Sequence, residues 1–404
     1  FEENKNEAIS EMLSNQLERS ALNKKCLLMT FIGAGIGDTC IFPAERKNHL
    51  APNVAKIEPL DDSISLDYAV FALMSPCGQR GVNAIKKSTA QPSLSMETIR
   101  KLLIPIPPLK EQKCISLKLS EALPLVEKYS KVQEEQNQLN VEIQYLLKKS
   151  ILQEAIQGKL VPQIAEEGTA QELLEQIKTE KEKLVKDGKL KKSALTDSVI
   201  FKGDDNKYYE QVGKSDKEIT EEIAFDLPNG WSWCRLKDIC SIFTGATFKK
   251  EETVTTKEGV RILRGGNISP FELRIKDDDI FLTKDKVKED IILKENDILT
   301  PAVTSLENIG KMVRVNSDMP NTTVGGFVFI IRLYLKNQWL SKYILYLLSS
   351  PFMIDFMKSI TNKSGQAFYN IGKERLSTAL LPIPSLAEQH RIVAQIEKLF
   401  EQLR

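Results

Sequence analysis

Between Leu109 and Gly158 the chain holds a single proline, Pro124, and no other helix breaker. Val132, Gln136, Leu139, Ile143 and Leu146 recur there at four–three spacing, the seam of a coiled coil. At about 1.5 Å per residue, roughly 45 residues extend some 65–70 Å. A helix of that length cannot fold back into a small core, so it is expected to act as a rod that sets a distance. A shorter helix is predicted over 169–186, and another starts near Leu386. Elsewhere the apolar runs are short and β-rich, at 235–243, 260–263, 279–282 and 327–334, with a helix at 341–349 after the last. This mixture predicts an α+β fold with irregular loops.

The pattern occurs twice. Residues 104–115 read IPIPPLKEQKCI and residues 381–392 read LPIPSLAEQHRI, with seven of twelve positions identical. The shared residues are Pro105/Pro382, Ile106/Ile383, Pro107/Pro384, Leu109/Leu386, Glu111/Glu388, Gln112/Gln389 and Ile115/Ile392. Upstream, 86–103 matches 362–381: a basic residue, Ser, Gln, a short loop, an amphipathic helix, then the proline segment. Farther upstream, 26–42 parallels 297–315, each a strand, a turn containing Ile-Gly, and a second strand. A period of about 275 residues is a duplicated domain, not a solenoid. Proline fixes φ, holds the preceding residue extended and suits a helix entry, so each copy should lead from a globular domain into a helix. Five parts follow: a first domain over 1–107, a long helix over 108–160, a charged helix and linker over 161–226, a second domain over 227–384, and the start of a second helix over 385–404. Within the third part, 193–220 reads as an exposed polar linker and the basic run 178–193 as a solvated face. Measured against the second copy, the first is expected to lack about 50 opening residues, and the final helix is expected to be cut short.

Composition adds limits rather than direction. A content of 42% hydrophobic and 27% charged residues suits an ordinary soluble chain. No apolar run approaches the roughly 18 residues needed to cross a membrane, and no signal peptide opens the sequence, so a cytoplasmic location is expected. The six cysteines (Cys26, Cys40, Cys77, Cys114, Cys234, Cys240) form no C-x-x-C pair, and neither His49 nor His390 accompanies one. Reduced buried thiols are expected, with no metal site. A net charge of +1 does not itself point to nucleic acid, although a basic face balanced by acidic helices is compatible with it.

The search for chemistry ends without a catalytic site or a cofactor-binding residue. The glycine-rich segment 31–37, FIGAGIG, is followed by β-branched residues and Pro43 rather than by the helix that a phosphate loop requires, so it reads as a tight turn. No G-x-x-x-x-G-K-[ST], H-E-x-x-H or adenine-methylase Asn/Asp-Pro-Pro-aromatic motif is present. Asp277, Asp278 and Asp279 read as a solvated turn, and His390 as a surface residue. The polar loops carry more. Lys86, Lys87, Ser88 and Gln91 stand in one copy where Lys363, Ser364 and Gln366 stand in the other. Lys can bind phosphate, and Ser, Asn and Gln can bond to base edges. Arg261, Arg264 and Asn267 flank a Gly pair that suits close backbone approach. These are the candidate DNA-contacting residues. Val132, Leu139, Ile143, Leu146 and Ile392 are the candidates for packing against partner helices.

The proline segments, the stretch 148–163 (KKSILQEAIQGKLVPQ), LLEQIKTEKEKLVKDGKLKK and LPNGWSWCRLKDI together resemble the specificity subunits of type I restriction–modification systems. The resemblance covers nearly the whole chain. It implies two target-recognition domains separated by long coiled-coil helices, and a non-catalytic subunit that reads a bipartite site in double-stranded DNA. It also implies two methyltransferase subunits as partners, which carry S-adenosylmethionine, and restriction/translocase subunits. Ser385, where the family has a second proline, departs from the pattern. Two other classes stay open. A single-chain nuclease or methyltransferase would show activity alone, and a coiled-coil scaffold would show no salt-dependent DNA binding.

Overall fold

The computed structural model describes residues 8–44, 48–87, 93–254, 258–364 and 367–403. The chain divides into two compact units, with the boundary after Gln138. The long helix, Leu109–Ile156, contains that boundary and runs for 48 residues through Pro124.

The first unit is built on a three-stranded antiparallel sheet. Its middle strand, Cys26–Thr30, pairs with Thr39–Phe42 on one side and Val54–Ile57 on the other. This strand has no polar alternation because both of its faces are buried. Leu27 and Met29 pack toward Ala69, Leu73 and Val82, while Cys26 and Leu28 join Leu22 and Phe42. Two helices follow, Leu66–Met74 and Pro76–Ala84, the second with Ser75 as its N-cap and Pro76 in its first turn. The glycine-rich segment 31–37 is the loop between two strands. Gly37 lies at φ +90° and donates its N–H to the Thr30 carbonyl at 2.9 Å, and a strand follows where a phosphate loop would need a helix.

The second unit repeats this order with additions. Ile298–Pro301 pairs antiparallel with Val313–Arg314 and with Val328–Leu333, as Cys26–Thr30 pairs with its two neighbours. Val328–Leu333 is again buried on both faces: Val328 and Ile330 face one core, Phe329, Ile331 and Leu333 the other. Helices Gln338–Leu348 and Pro351–Ser359 follow, the second opened by Ser350 as N-cap and Pro351. The added pieces are the outer strand Cys240–Thr244 and a second four-stranded sheet. In that sheet Val260–Leu263 runs parallel to Thr322–Val324 and antiparallel to Ile280–Leu282.

The proline segment is held alike in both units. Tyr68 donates its hydroxyl to the Pro105 carbonyl at 2.7 Å, and Tyr343 does the same to Pro382 at 2.8 Å. Gln112 and Gln389, both fully buried, turn back to the carbonyls of Pro107 and Pro384 at 2.9 and 3.1 Å. A difference accompanies the likeness. In the second unit Leu380–Ile383 is a strand paired antiparallel with Ser232–Arg235. Pro382 is tolerated because a two-stranded sheet leaves its nitrogen on an unpaired side.

Several sequence expectations need correction. The stretch 193–220 is no linker: it contains the antiparallel meander Ser198–Lys202, Tyr208–Val212 and Ser215–Glu218. The meander is attached by ion pairs and hydrogen bonds as well as by the packing of Ile200 and Tyr208 against Ile219, Trp233 and Leu380. Arg235 donates to Glu210 at 2.6 and 3.1 Å and to Glu222 at 2.8 Å, and Ser198 donates to the buried Asp238 at 2.6 Å. Within the basic run, Lys181 is buried against Asp197 and the Tyr334 ring instead of lying on a solvated face. The run 235–243 is not one strand: the short turn of helix Leu236–Ile239 divides it. Asp279 is buried, whereas Asp278 is exposed as expected. Ile392 offers no docking face, since it lies with Val393 and Ile396 in the core of the second unit. All six cysteines are free, but Cys77 and Cys114 are exposed.

The arginine cluster generates a stability prediction. Glu210→Ala should cost about 3 kcal/mol, the low end for breaking a buried ion pair because Glu222 remains beside Arg235. It should appear as a lower urea midpoint at unchanged slope. The hydrogen bond from Arg235 holds the Glu210 carboxyl below its ordinary value. Its contribution is therefore complete above the unfolded-state value and fades as pH falls through the lowered folded value. The gap between wild type and variant should narrow below about pH 4.

Candidate nucleic-acid interface

Each unit carries a hairpin between its second helix and its proline segment. In the second unit Thr361–Ser364 pairs with Phe368–Ile371, and Val303–Thr304 adds a third strand. The base is pinned: Ile371 is buried and donates its N–H to the Ala302 carbonyl at 2.9 Å. Arg375 donates to the Ile360 carbonyl and to Asn362 Oδ1, each at 3.2 Å. Toward the other end Lys363 and Phe368 are exposed.

The first unit has the same arrangement in shorter form. Lys87 and Ser93 exchange backbone hydrogen bonds at 3.0 and 3.2 Å, and Leu94 donates to the Phe31 carbonyl at 2.8 Å. The bridge from Ile32 to Ser93 takes the place of the Thr304 pairing. Lys86 and Lys87 are exposed. The two sequence-derived groups are thus built on equivalent hairpins, each with exposed lysine. Ser88, Gln91 and Gln366 lie outside the described residues, and Ser364 is described in its backbone only.

The third group is placed differently. Asn267 is buried, and its amide is engaged on both sides. Oδ1 accepts the Arg264 N–H at 2.8 Å, while Nδ2 donates to the Arg274 carbonyl at 2.9 Å and to Asp279 Oδ1 at 2.7 Å. Arg261 donates to Asp279 Oδ2 at 2.9 Å and lies over the Phe281 ring. Burial opposes the charged form of Asp279. Hydrogen bonds from the Lys276 N–H, Asn267 and Arg261 outweigh it and hold the carboxyl below its ordinary value. Of this group only Arg264, paired with Asp278 at 3.1 Å, presents a substantially exposed charge. Asn267 and Arg261 brace the turn that carries Arg264. Phe368 was missed at the sequence level. An aromatic residue inside a short polar loop is the signal that marks it.

The candidate helix-packing residues Val132, Leu139, Ile143 and Leu146 are all exposed on the long helix. Among the described residues no group of three or more His, Cys, Asp or Glu could hold a metal ion, and no helix is long and apolar enough to cross a membrane.

The duplicated module has a counterpart in a known family. The model of the type I restriction modification DNA specificity domain matches residues 3–153 and again 228–404. The chain belongs to this family. The two matches cover the two copies identified in the sequence. The chain is 31% identical over 273 residues to the type I restriction enzyme EcoAI specificity subunit of Escherichia coli, covering 63% of this chain and 39% of that protein. It is 25% identical over 374 residues to the EcoBI specificity subunit of the same organism, covering 87% of this chain and 62% of that protein. The chain thus spans less than two thirds of the length of either relative. A solved chain from work on complex assembly and conformational transition of the type I R-M system matches 94% of this chain and 74% of its own length, with a TM-score of 0.54 at 17% identity. That likeness supports the fold: two related α+β modules with a long helix.

Stability separates bracing residues from presented ones. Asn267→Ala should cost about 1–3 kcal/mol, because it strands buried partners. Lys363→Ala should change stability by less than about 0.5 kcal/mol. Urea midpoints of both variants check this; an equally large loss for Lys363→Ala would make the hairpin tip a structural element.

Proposed function

We propose that this chain is the DNA-reading, non-catalytic specificity subunit of a type I restriction–modification complex. The observation that carries the reading is the double family match, each half containing the same hairpin, proline segment and helix. In this reading 1–107 and 227–384 are the two reading domains. Lys86, Lys87 and Lys363 contact phosphate, and Ser88, Gln91, Ser364 and Gln366 contact base edges. Phe368, exposed beside Lys363, is suited to stack on or wedge against a base. Arg264 is the member of the third group best placed to reach DNA. Two methyltransferase subunits, carrying S-adenosylmethionine, dock on the helices through exposed residues such as Val132, Leu139, Ile143 and Leu146. Restriction/translocase subunits join that assembly, which works in the cytoplasm.

Two domains with unlike loops read unlike sequences, so the site is split into two short parts with unread bases between them. The helix Leu109–Ile156 joins the two domains along the chain and fixes the spacer.

Two experiments test this in the complex with methyltransferase subunits. Lys86→Ala and Lys363→Ala should each weaken binding to all DNA sequences and reduce the slope of log K against log salt by about 0.9. Gln91→Ala or Gln366→Ala should relax specificity by about 1–3 kcal/mol at one position. Unchanged affinity and salt slope in every variant would remove the hairpins from the interface. Deleting one heptad, residues 132–138, shortens the helix by about 10 Å. That should change the preferred spacer by roughly three base pairs at about 3.4 Å each, or abolish binding through misphasing. Methylome mapping that returns an unchanged motif and spacer from an intact complex would show that the helix is not the ruler.

A further inference from the structure

The turn that carries Arg264 continues into a two-stranded hairpin, Ile268–Ser269 with Glu272–Leu273. Turn and hairpin form one braced piece. The Asn267 carbonyl accepts the Arg274 N–H at 2.8 Å, and the Asn267 side-chain amide donates back to the Arg274 carbonyl at 2.9 Å. At the bend of the hairpin, directly after Pro270, Phe271 has φ +64°. The position after a proline in such a bend suits glycine or asparagine when φ is positive, because a side chain with a Cβ seldom enters the left-handed region. The Phe271 N–H is tied to the Met312 carbonyl at 2.8 Å. Its ring lies 5.4 Å from the Tyr346 ring and 5.9 Å from the Phe400 ring, and those two meet edge-on at 5.9 Å. All three pairs are within the range of favourable aromatic contact. Tyr346 belongs to the helix Gln338–Leu348 and Phe400 to the final helix, Leu386–Gln402. Lys342 and Glu397 fasten these two helices to each other at 2.7 Å. Lys148, on the long helix, holds its ammonium 5.7 Å from the centre of the Phe400 ring. A strained residue thus joins the piece that presents Arg264 to the place where three helices meet.

We propose that Phe271 is a positioning residue for DNA reading by the second domain. Its ring holds the Arg264 turn at a fixed place relative to the final helix and the end of the long helix. A left-handed phenylalanine persists only where its surroundings over-determine it, and here a backbone hydrogen bond and two rings do so. Phe271 acts through Arg264 and needs no DNA contact of its own. The inference rests on the assignment of residues 227–384 as a reading domain with Arg264 facing DNA. It adds the requirement that the arginine be held in register with the helices on which the methyltransferase subunits dock.

The test compares Phe271→Gly, Phe400→Ala and Phe271→Tyr with wild type. Glycine accepts the left-handed backbone and removes the ring; Phe400→Ala removes the ring's partner and leaves the hairpin sequence intact. The first measurement is native hydrogen exchange of the full chain, followed by mass spectrometry. Both Phe271→Gly and Phe400→Ala are expected to speed exchange in peptides over 264–275 at least about fivefold. The buried strand Val328–Leu333 should stay at the wild-type rate, which shows that the domain is folded. Phe271→Tyr should match wild type throughout. The second measurement is binding of the complex with methyltransferase subunits to a duplex carrying the motif that methylome mapping returns for wild type. Phe271→Gly should bind at least about tenfold more weakly, and Phe271→Tyr should restore binding. Wild-type exchange over 264–275 in either ring-removing variant would overturn the proposal. So would wild-type DNA binding by Phe271→Gly. Lys363→Ala, measured alongside, separates the two readings. If it binds DNA more weakly while Phe271→Gly binds as wild type, only the positioning role falls. If both bind as wild type, the reading assignment falls with it.

Discussion

A tyrosine hydroxyl bonded to a proline carbonyl fixes the end of each module, and the placement of the following helix depends on it. Proline cannot donate a backbone hydrogen bond, so at Pro105 and Pro382 the segment before each helix can be held only through the carbonyl. Tyr68 and Tyr343 anchor it through carbonyls instead, from helices packed against the module sheets. The buried Gln112 and Gln389 then tie the first turn of the helix to the carbonyl just before it. Globular module and helix are joined with little freedom between them.

Around this joint the second unit recruits pieces that the first does not show among the described residues. Its meander is fastened by Arg235 to Glu210 and Glu222, and by Ser198 to Asp238. Burial pushes the Asp238 carboxyl above its ordinary value even with Ser198 bonded to it. Charge pairing adds to the apolar contact of Ile200 and Tyr208 with Trp233 and Leu380 in holding this layer. Polar groups also hold the Arg264 turn, where Asn267 and Asp279 form a buried polar brace. Each hairpin, by contrast, is held at its base, by Lys87 and Ser93 in the first unit and by Ile371 and Arg375 in the second.

Family membership and geometry bear on different parts of the functional reading. The double match establishes what kind of chain this is. The hairpins place lysines at equivalent exposed positions, while Asn267 lies buried in the brace of a separate turn. Apolar positions on the long helix, Val132, Leu139, Ile143 and Leu146, are exposed.

The sequence alone determined the duplication, the long helix, the proline boundaries, the strand Val260–Leu263 and the loop character of 31–37. Those features follow from local rules: the fixed φ of proline, helical periodicity, and the helix that must follow a phosphate loop. The tertiary structure decided the rest. A polar stretch at 193–220 reads as linker until Arg235 and Asp238, distant in sequence, supply its partners. Asp279 looks like its neighbours Asp277 and Asp278 until Asn267 and Arg261 close over it. Ile106 and Ile383 sit in nearly identical local sequence, and one is exposed while the other is buried. Burial depends on which remote segment arrives to cover a residue, and no local pattern records that.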